Sequence, residues 1–155
     1  MTRRIKTMSG AALVAAAATL GCVTLAPQGA WAEKPATSTS PLSRAQAHFN
    51  RGDYRSATIE LRNALRANPN SVPARLLQAR VYLRLNQGLP AQTEVEAARR
   101  AGATKDSTRH LMAEALVLQR RFADALEEAK ADLVPAAYAS EAARVRGLAQ
   151  MGLGK

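Results

Sequence analysis

From Leu42 onward, apolar residues recur every three or four positions, with charged and polar residues between them. This spacing places the apolar side chains on one face of an α-helix, whereas a half-buried strand would alternate with a period of two. We predict helices over residues 42–50, 54–67, 72–85, 89–101, 106–119, 122–131 and 138–152. Asp53 and Asp106 stand where they would cap the second and fifth of these helices. The pattern therefore predicts an all-α chain.

Small residues recur along these helices with a step of 34 positions. One series is Ala45, Ala79, Ala113 and Gly147, and a second is Ala57, Ala91 and Ala125. A small side chain at a helix crossing lets the two backbones approach closely. The predicted turns share the step, at Gly52, Asn86, Arg120 and Gly154. A left-handed backbone is expected there, which suits glycine, is tolerated by asparagine and strains arginine.

A 34-residue period with small residues at fixed places is typical of the tetratricopeptide repeat (TPR), and the chain resembles that helix–turn–helix unit. The resemblance implies a right-handed α-solenoid over residues 42–155, with three repeats and the first helix of a fourth. The closing proline of the repeat occurs once, as Pro69, and the third unit has Asp132 where earlier units have alanine. The single helix of the fourth unit is either a terminal cap or the start of a longer solenoid, and we favour the longer array.

Residues 1–32 have the organisation of a signal peptide. Three cations, Arg3, Arg4 and Lys6, precede an uncharged apolar run over residues 8–26, and Ala30-Trp31-Ala32 forms an A-x-A cleavage site. We predict cleavage after Ala32, followed by a polar linker over residues 33–41. Two alternatives are an uncleaved membrane anchor and lipidation of Cys22, the one cysteine, whose preceding residues form a poor lipobox. In all three interpretations the chain is exported across the inner membrane, and we predict a periplasmic location in a Gram-negative bacterium.

The positive charge of the chain is concentrated in its first half. The formal net charge is +10, and cleavage would remove three of these charges. Between residues 41 and 84, eight arginines face only Asp53 and Glu60, whereas ten basic and nine acidic residues follow from residue 85 onward. This distribution favours anionic partners such as acidic protein segments, anionic polysaccharide or lipid headgroups. Nucleic acid is not expected, because no aromatic residues alternate with the arginines.

In a TPR array the first helices of the units line a concave groove. Placing the repeat pattern on these helices turns a mixture of apolar, polar and basic side chains toward it: Leu42, Gln46, Asn50, Leu76, Arg80, Arg84, His110, Glu114 and Arg144. Such a surface suits an extended or helical protein segment with some negative charge. The lysine–asparagine clamp by which some TPR proteins hold a C-terminal carboxylate is not visible.

The sequence gives no indication of an enzyme. His48 and His110 lie far apart in the repeat, and no ligand-spaced cysteines or carboxylates complete a metal site. His48 occupies the aromatic position of the first helix of the repeat, so we expect it to have a packing role. No phosphate-binding loop and no nucleophile motif is present. We therefore expect no catalytic residue, no metal and no cofactor.

One stretch of the chain resembles a particular group of TPR proteins more closely than the general repeat. Residues 51–65, RGDYRSATIELRNAL, run into Asn68-Pro69-Asn70, and together they resemble the opening repeats of the TPR proteins of PEP-CTERM/exosortase systems (PrsT-like). That resemblance implies an exported protein, often lipid-anchored, linked to exopolysaccharide production and the sorting of surface proteins. Members of that family are much longer arrays than this chain.

The combined prediction is an exported TPR scaffold or adaptor that binds a protein or peptide in the cell envelope, in exopolysaccharide export or PEP-CTERM protein sorting. One alternative is an N-terminal fragment of a longer solenoid that binds nothing by itself. Another is an accessory subunit of an enzyme of polysaccharide synthesis or export. The sequence does not fix the partner or the oligomeric state.

Overall fold

The computed structural model describes residues 40–154, and all regular structure in this range is helical. The α-helices are α1 (Pro41–Asn50), α2 (Tyr54–Ala67), α3 (Val72–Arg84), α4 (Gly88–Arg100), α5 (Lys105–Leu118), α6 (Phe122–Glu128) and α7 (Ala139–Gly152), with a 3₁₀ turn over Ala136–Tyr138. The predicted all-α class is confirmed. Each helix begins and ends within one residue of its predicted bounds, except at the end of α6. The predicted signal peptide, with Cys22 and Ala32, lies outside the described residues.

Polar side chains fix where four of the helices begin. The capping residues are Ser40, Asp53, Ser71 and Thr104, and each accepts a hydrogen bond from the backbone N–H three residues further on. Such a bond satisfies one of the N–H groups that the first turn of a helix leaves unpaired. The predicted cap at Asp53 is confirmed, since its Oδ1 accepts the Ser56 N–H at 3.1 Å.

The predicted cap at Asp106 is wrong. Thr104 has the extended backbone that a cap requires, and its hydroxyl accepts the Ser107 N–H at 3.3 Å. Asp106 lies inside the first turn of α5, where its carboxylate accepts a hydrogen bond from Arg109 Nε at 3.1 Å. A carboxylate in a first turn is still favoured by the partial positive charge of the helix N-terminus.

The turns between paired helices have a left-handed residue at regular intervals. Its φ angle is 78° at Gly52, 58° at Asn86, 60° at Arg120 and 73° at Gly154. These four positions are the ones predicted, and they are 34 residues apart. Since a left-handed conformation brings Cβ close to the following carbonyl oxygen, Arg120 holds a backbone conformation that costs a non-glycine residue roughly 1–2 kcal/mol.

The two series of alanines lie at the centre of the helix packing. The described members of both series that are alanine have no exposed surface: Ala45, Ala57, Ala79, Ala91, Ala113 and Ala125. Each helix packs against the next one in the chain, and the odd-numbered helices also contact one another in sequence order. Gly147 of α7 differs from its counterparts, because a Cβ atom placed on it would meet open space.

The end of α6 departs from the prediction. The apolar spacing extends to residue 131, but the helix stops at Glu128 and an irregular segment follows. Asp132 is exposed, whereas its counterparts Ala64 and Ala98 are buried. Continuing the helix would carry the Asp132 carboxylate toward that buried position, where an unpaired charge is costly. Pro135 adds to this effect, because the residue before a proline avoids the helical conformation.

The described helices are short. None of them combines the length and the apolar character that would be needed to cross a lipid bilayer.

Candidate functional site

The odd-numbered helices and the 3₁₀ turn enclose a cavity of about 330 Å³. Its lining combines charged, aromatic and aliphatic side chains: Phe49, Arg80, Leu83, Arg84, His110, Leu111, Glu114, Tyr138, Glu141 and Arg144. Five of the nine predicted groove residues are among them, namely Arg80, Arg84, His110, Glu114 and Arg144. The 34-residue step explains why, because it places residues of α3, α5 and α7 at equivalent positions of neighbouring helices.

The charges around the cavity are only partly compensated. Arg144 of α7 forms an ion pair with Glu114 of α5, with 2.9 Å between Nη2 and Oε1. Within residues 40–154, neither Arg80 nor Arg84 has a carboxylate within salt-bridge distance. Arg80 is half-buried and Arg84 is exposed. The cavity therefore presents two guanidinium groups with free hydrogen-bonding capacity for an anionic ligand.

His110 forms much of one wall and is almost completely buried, with 5% of its surface exposed. Its ring stacks on that of Tyr138, with 4.0 Å between the ring centroids and 12° between the planes. Burial lowers the pKa of His110, and the positive charge of Arg80 lowers this pKa further, against the opposing influence of Glu141 and Glu114. Its Nδ1 has no hydrogen-bond partner in the part of the chain that the structure describes. Near neutral pH the imidazole is therefore uncharged.

Four predicted groove residues lie away from this cavity. Leu42 of α1 is partly buried and packs against the apolar cluster that contains Leu61. Gln46 and Asn50 are both exposed on α1, and the Gln46 Nε2 donates a hydrogen bond to the Asn50 Oδ1 at 2.8 Å. Leu76 of α3 is partly buried and packs against the largest apolar cluster of the described chain. The predicted set therefore divides into a cavity group on α3, α5 and α7, a polar pair on α1, and two leucines, Leu42 and Leu76, that pack against apolar clusters.

Five residues of the cavity were not predicted. Leu83 and Leu111 lie on α3 and α5 beside predicted positions, and the other three are Phe49, Tyr138 and Glu141. Phe49 follows His48, which the repeat pattern assigned to the aromatic position of α1, and Phe49 reaches the cavity from the neighbouring register. Tyr138 and Glu141 come from the segment after α6, where the repeat pattern breaks down. A sequence signal exists for Leu83 and Glu141, since they lie one helical turn from the predicted Arg80 and Arg144.

His48 itself has a polar environment. Its Nδ1 lies 3.1 Å from the Asp53 carboxylate, and Arg51 approaches the same nitrogen at 3.2 Å. The expected packing role of His48 is thus combined with contacts that hold the turn between α1 and α2.

A second cavity of about 340 Å³ lies between α4, α5 and α6, and several carboxylates border it. Most of these are already engaged: Glu128 contacts Arg99 and Arg109, both at 3.3 Å, and Asp124 pairs with Arg121 at 2.6 Å. Nowhere in the described range do three or more side chains of the histidine, cysteine, aspartate and glutamate types meet as they would around a metal ion.

Comparisons with known protein families, with curated proteins and with solved structures found no match to this chain.

Proposed function

We propose that residues 42–155 form TPR units stacked in a right-handed solenoid. Two observations support this architecture. Left-handed turn residues recur every 34 positions, and the alanines at both helix-crossing series are fully buried. Contacts are confined to near neighbours in the chain, as expected when each repeat buries its face on the next.

We propose further that the chain is a protein-binding scaffold whose groove holds an acidic segment of a partner. The observation that carries this proposal is the pair Arg80 and Arg84, which border a cavity without a carboxylate partner among the described residues. A guanidinium binds a carboxylate through two parallel hydrogen bonds. Phe49, Leu83 and Leu111 line the same cavity and supply apolar surface for a neighbouring side chain. No covalent chemistry is required of the site.

The test compares two variants with equal changes in charge. Arg80→Glu/Arg84→Glu reverses the two cavity arginines, and Arg100→Glu/Arg120→Glu reverses two exposed arginines that do not line the cavity. Fluorescence anisotropy would measure binding of labelled decapeptides that alternate glutamate with leucine. Because a hydrogen bond to a charged group contributes about 1.5–3 kcal/mol, we expect the cavity variant to lose at least about tenfold in affinity. Equal losses in both variants would refute the groove.

We propose the cell envelope as the setting, with a role in exopolysaccharide export or PEP-CTERM protein sorting. Support comes from the sequence of residues 1–32 and from the resemblance of residues 51–70 to PrsT-like repeats. Intact mass spectrometry of the protein from native envelopes tests this setting. A mass equal to residues 33–155 supports cleavage after Ala32, an added lipid mass supports modification of Cys22, and the mass of the uncleaved chain argues against both.

A further inference from the structure

The exposed face of α2 carries a row of cations that the groove does not use. Arg55, Ile59, Arg62 and Arg66 are separated by four, three and four residues. At 100° per residue these positions fall within an arc of about 60°, and they extend over about 16 Å of the helix. All four side chains are exposed, Ile59 to 58%. We name this set the α2 ridge.

The buried face of α2 lies on the opposite side of the helix. Ala57 and Leu61 are fully buried, and Ala64 is 9% exposed. The arginines of the α2 ridge therefore point away from the packed interior. In the described part of the chain none of the three has a carboxylate within salt-bridge distance. The nearest acidic residues in sequence are engaged elsewhere, because Asp53 caps α2 and Glu60 pairs with Arg44 at 2.8 Å.

The corresponding positions one and two 34-residue steps later differ. Thirty-four residues after the α2 ridge, α4 carries Leu89, Thr93, Glu96 and Arg100, and the next step gives Ala123, Glu127, Lys130 and Val134. Repeat geometry alone therefore does not require arginine at these positions. The three cations are a feature of α2, in the half of the chain where eight arginines face two acidic residues.

We propose that the α2 ridge binds an anionic lipid surface. Neither of the two cavities described above is lined by a residue of α2, so the ridge is separate from both. A straight row of cations around one exposed aliphatic side chain matches a planar anionic surface, where guanidinium groups meet headgroups and an aliphatic side chain enters the acyl boundary. This inference is independent of the proposed groove, because the two sites share no residue.

Co-sedimentation of the full chain with vesicles provides the first test. The vesicles contain phosphatidylcholine alone or with added phosphatidylglycerol. Arg55→Gln/Arg62→Gln/Arg66→Gln removes the ridge charges, and Arg100→Gln/Lys105→Gln/Arg120→Gln removes three exposed charges elsewhere. Each basic residue near such a surface contributes about 1 kcal/mol, or about fivefold, so we expect the ridge variant to lose roughly a hundredfold in affinity for anionic vesicles. The apolar run over residues 8–26 is common to all variants.

If residues 8–26 dominate vesicle binding, a fluorescent reporter on the ridge can still detect whether the ridge itself contacts the vesicles. Ile59→Trp in a Trp31→Phe background places the one tryptophan on the ridge, at a position exposed enough to accept it. We expect its emission to shift to shorter wavelength with anionic vesicles, to a lesser extent with neutral ones, and to revert at high salt. Unchanged emission would overturn the proposal. Ridge-dependent binding of an oligoglutamate peptide without vesicle binding would also overturn it, in favour of an acidic protein.

Discussion

At the scale of single residues, His110 connects protonation to folding. Burial, and then the charge of Arg80, lowers its pKa in the folded chain, whereas a histidine in an unfolded chain titrates near about 6.5. Between these two pKa values the unfolded chain binds more protons than the folded one. The free energy of unfolding must therefore decrease as the pH falls below about 6.5.

Thermal melting between about pH 7.5 and pH 5 checks this prediction. His110→Phe keeps an aromatic ring against Tyr138 and removes the titration, so its melting temperature should vary less over this interval than that of the wild type. The carboxylates of Asp53, Glu60 and Glu141 also have lowered pKa values, but their contributions are lost mainly below about pH 4.5. Parallel pH dependences of the two proteins would show that His110 is not responsible.

Arg120 gives a second prediction at this scale. Its left-handed backbone costs roughly 1–2 kcal/mol, while its contact with the Phe122 ring, at 6.0 Å from the centroid, contributes about 0.5–1 kcal/mol at an exposed site. The backbone cost is the larger, so Arg120→Gly should stabilise the chain by up to about 1 kcal/mol in urea unfolding. Asn86→Gly should give a smaller gain, because asparagine adopts this conformation more readily. Destabilisation by Arg120→Gly would mean that the aromatic contact outweighs the strain.

At the scale of helices, substitutions at the caps can lower the free energy of unfolding without changing the packed interior. Asp53→Ala should lower the free energy of unfolding by about 1 kcal/mol, because the Ser56 N–H in the first turn of α2 loses its acceptor. Asp106→Ala is a matched control and should cost less, since Asp106 is not a cap. It forms an ion pair with Arg109, but the Asp106 side chain is largely exposed to solvent, so the pair contributes little. Urea unfolding of both variants measures the difference. A larger loss for Asp106→Ala would contradict the assignment of Thr104 as the cap.

The same scale shows which features a sequence can predict. Helix bounds were predictable because they depend on local chemistry, such as the cap at Asp53 and the left-handed glycine at position 52. The early end of α6 was not predicted, since the apolar spacing continues through residue 131. The charged Asp132, at the position of the buried Ala64 and Ala98, was the local sign that the helix would stop early. The 34-residue spacing predicted that Arg80 and His110 lie near each other in the cavity. Tyr138 was not predictable, because it belongs to an irregular segment without periodic spacing.

At the scale of the whole molecule, contacts are local along the chain. The buried cluster around Leu61 is formed by residues of α1, α2 and α3, while Val145 of α7 packs in a separate cluster with Ala113 and Ala129. Among the described helices, the main helix–helix contacts join near neighbours in the chain. Damage at one end should therefore reach the other only through α3 and α5.

Native-state hydrogen exchange tests this locality. Leu61 is fully buried, and Leu61→Ala should cost about 2–5 kcal/mol. We expect amide protection to fall most in α1, α2 and α3 and least in α7, because the first three helices form the cluster around Leu61 and lose packing directly. Val145→Ala, at a residue with 1% exposure, should give the reverse gradient. Uniform loss of protection in both variants would instead mean that α1 to α7 unfold as one cooperative unit, in which both the groove and the α2 ridge depend on every helix.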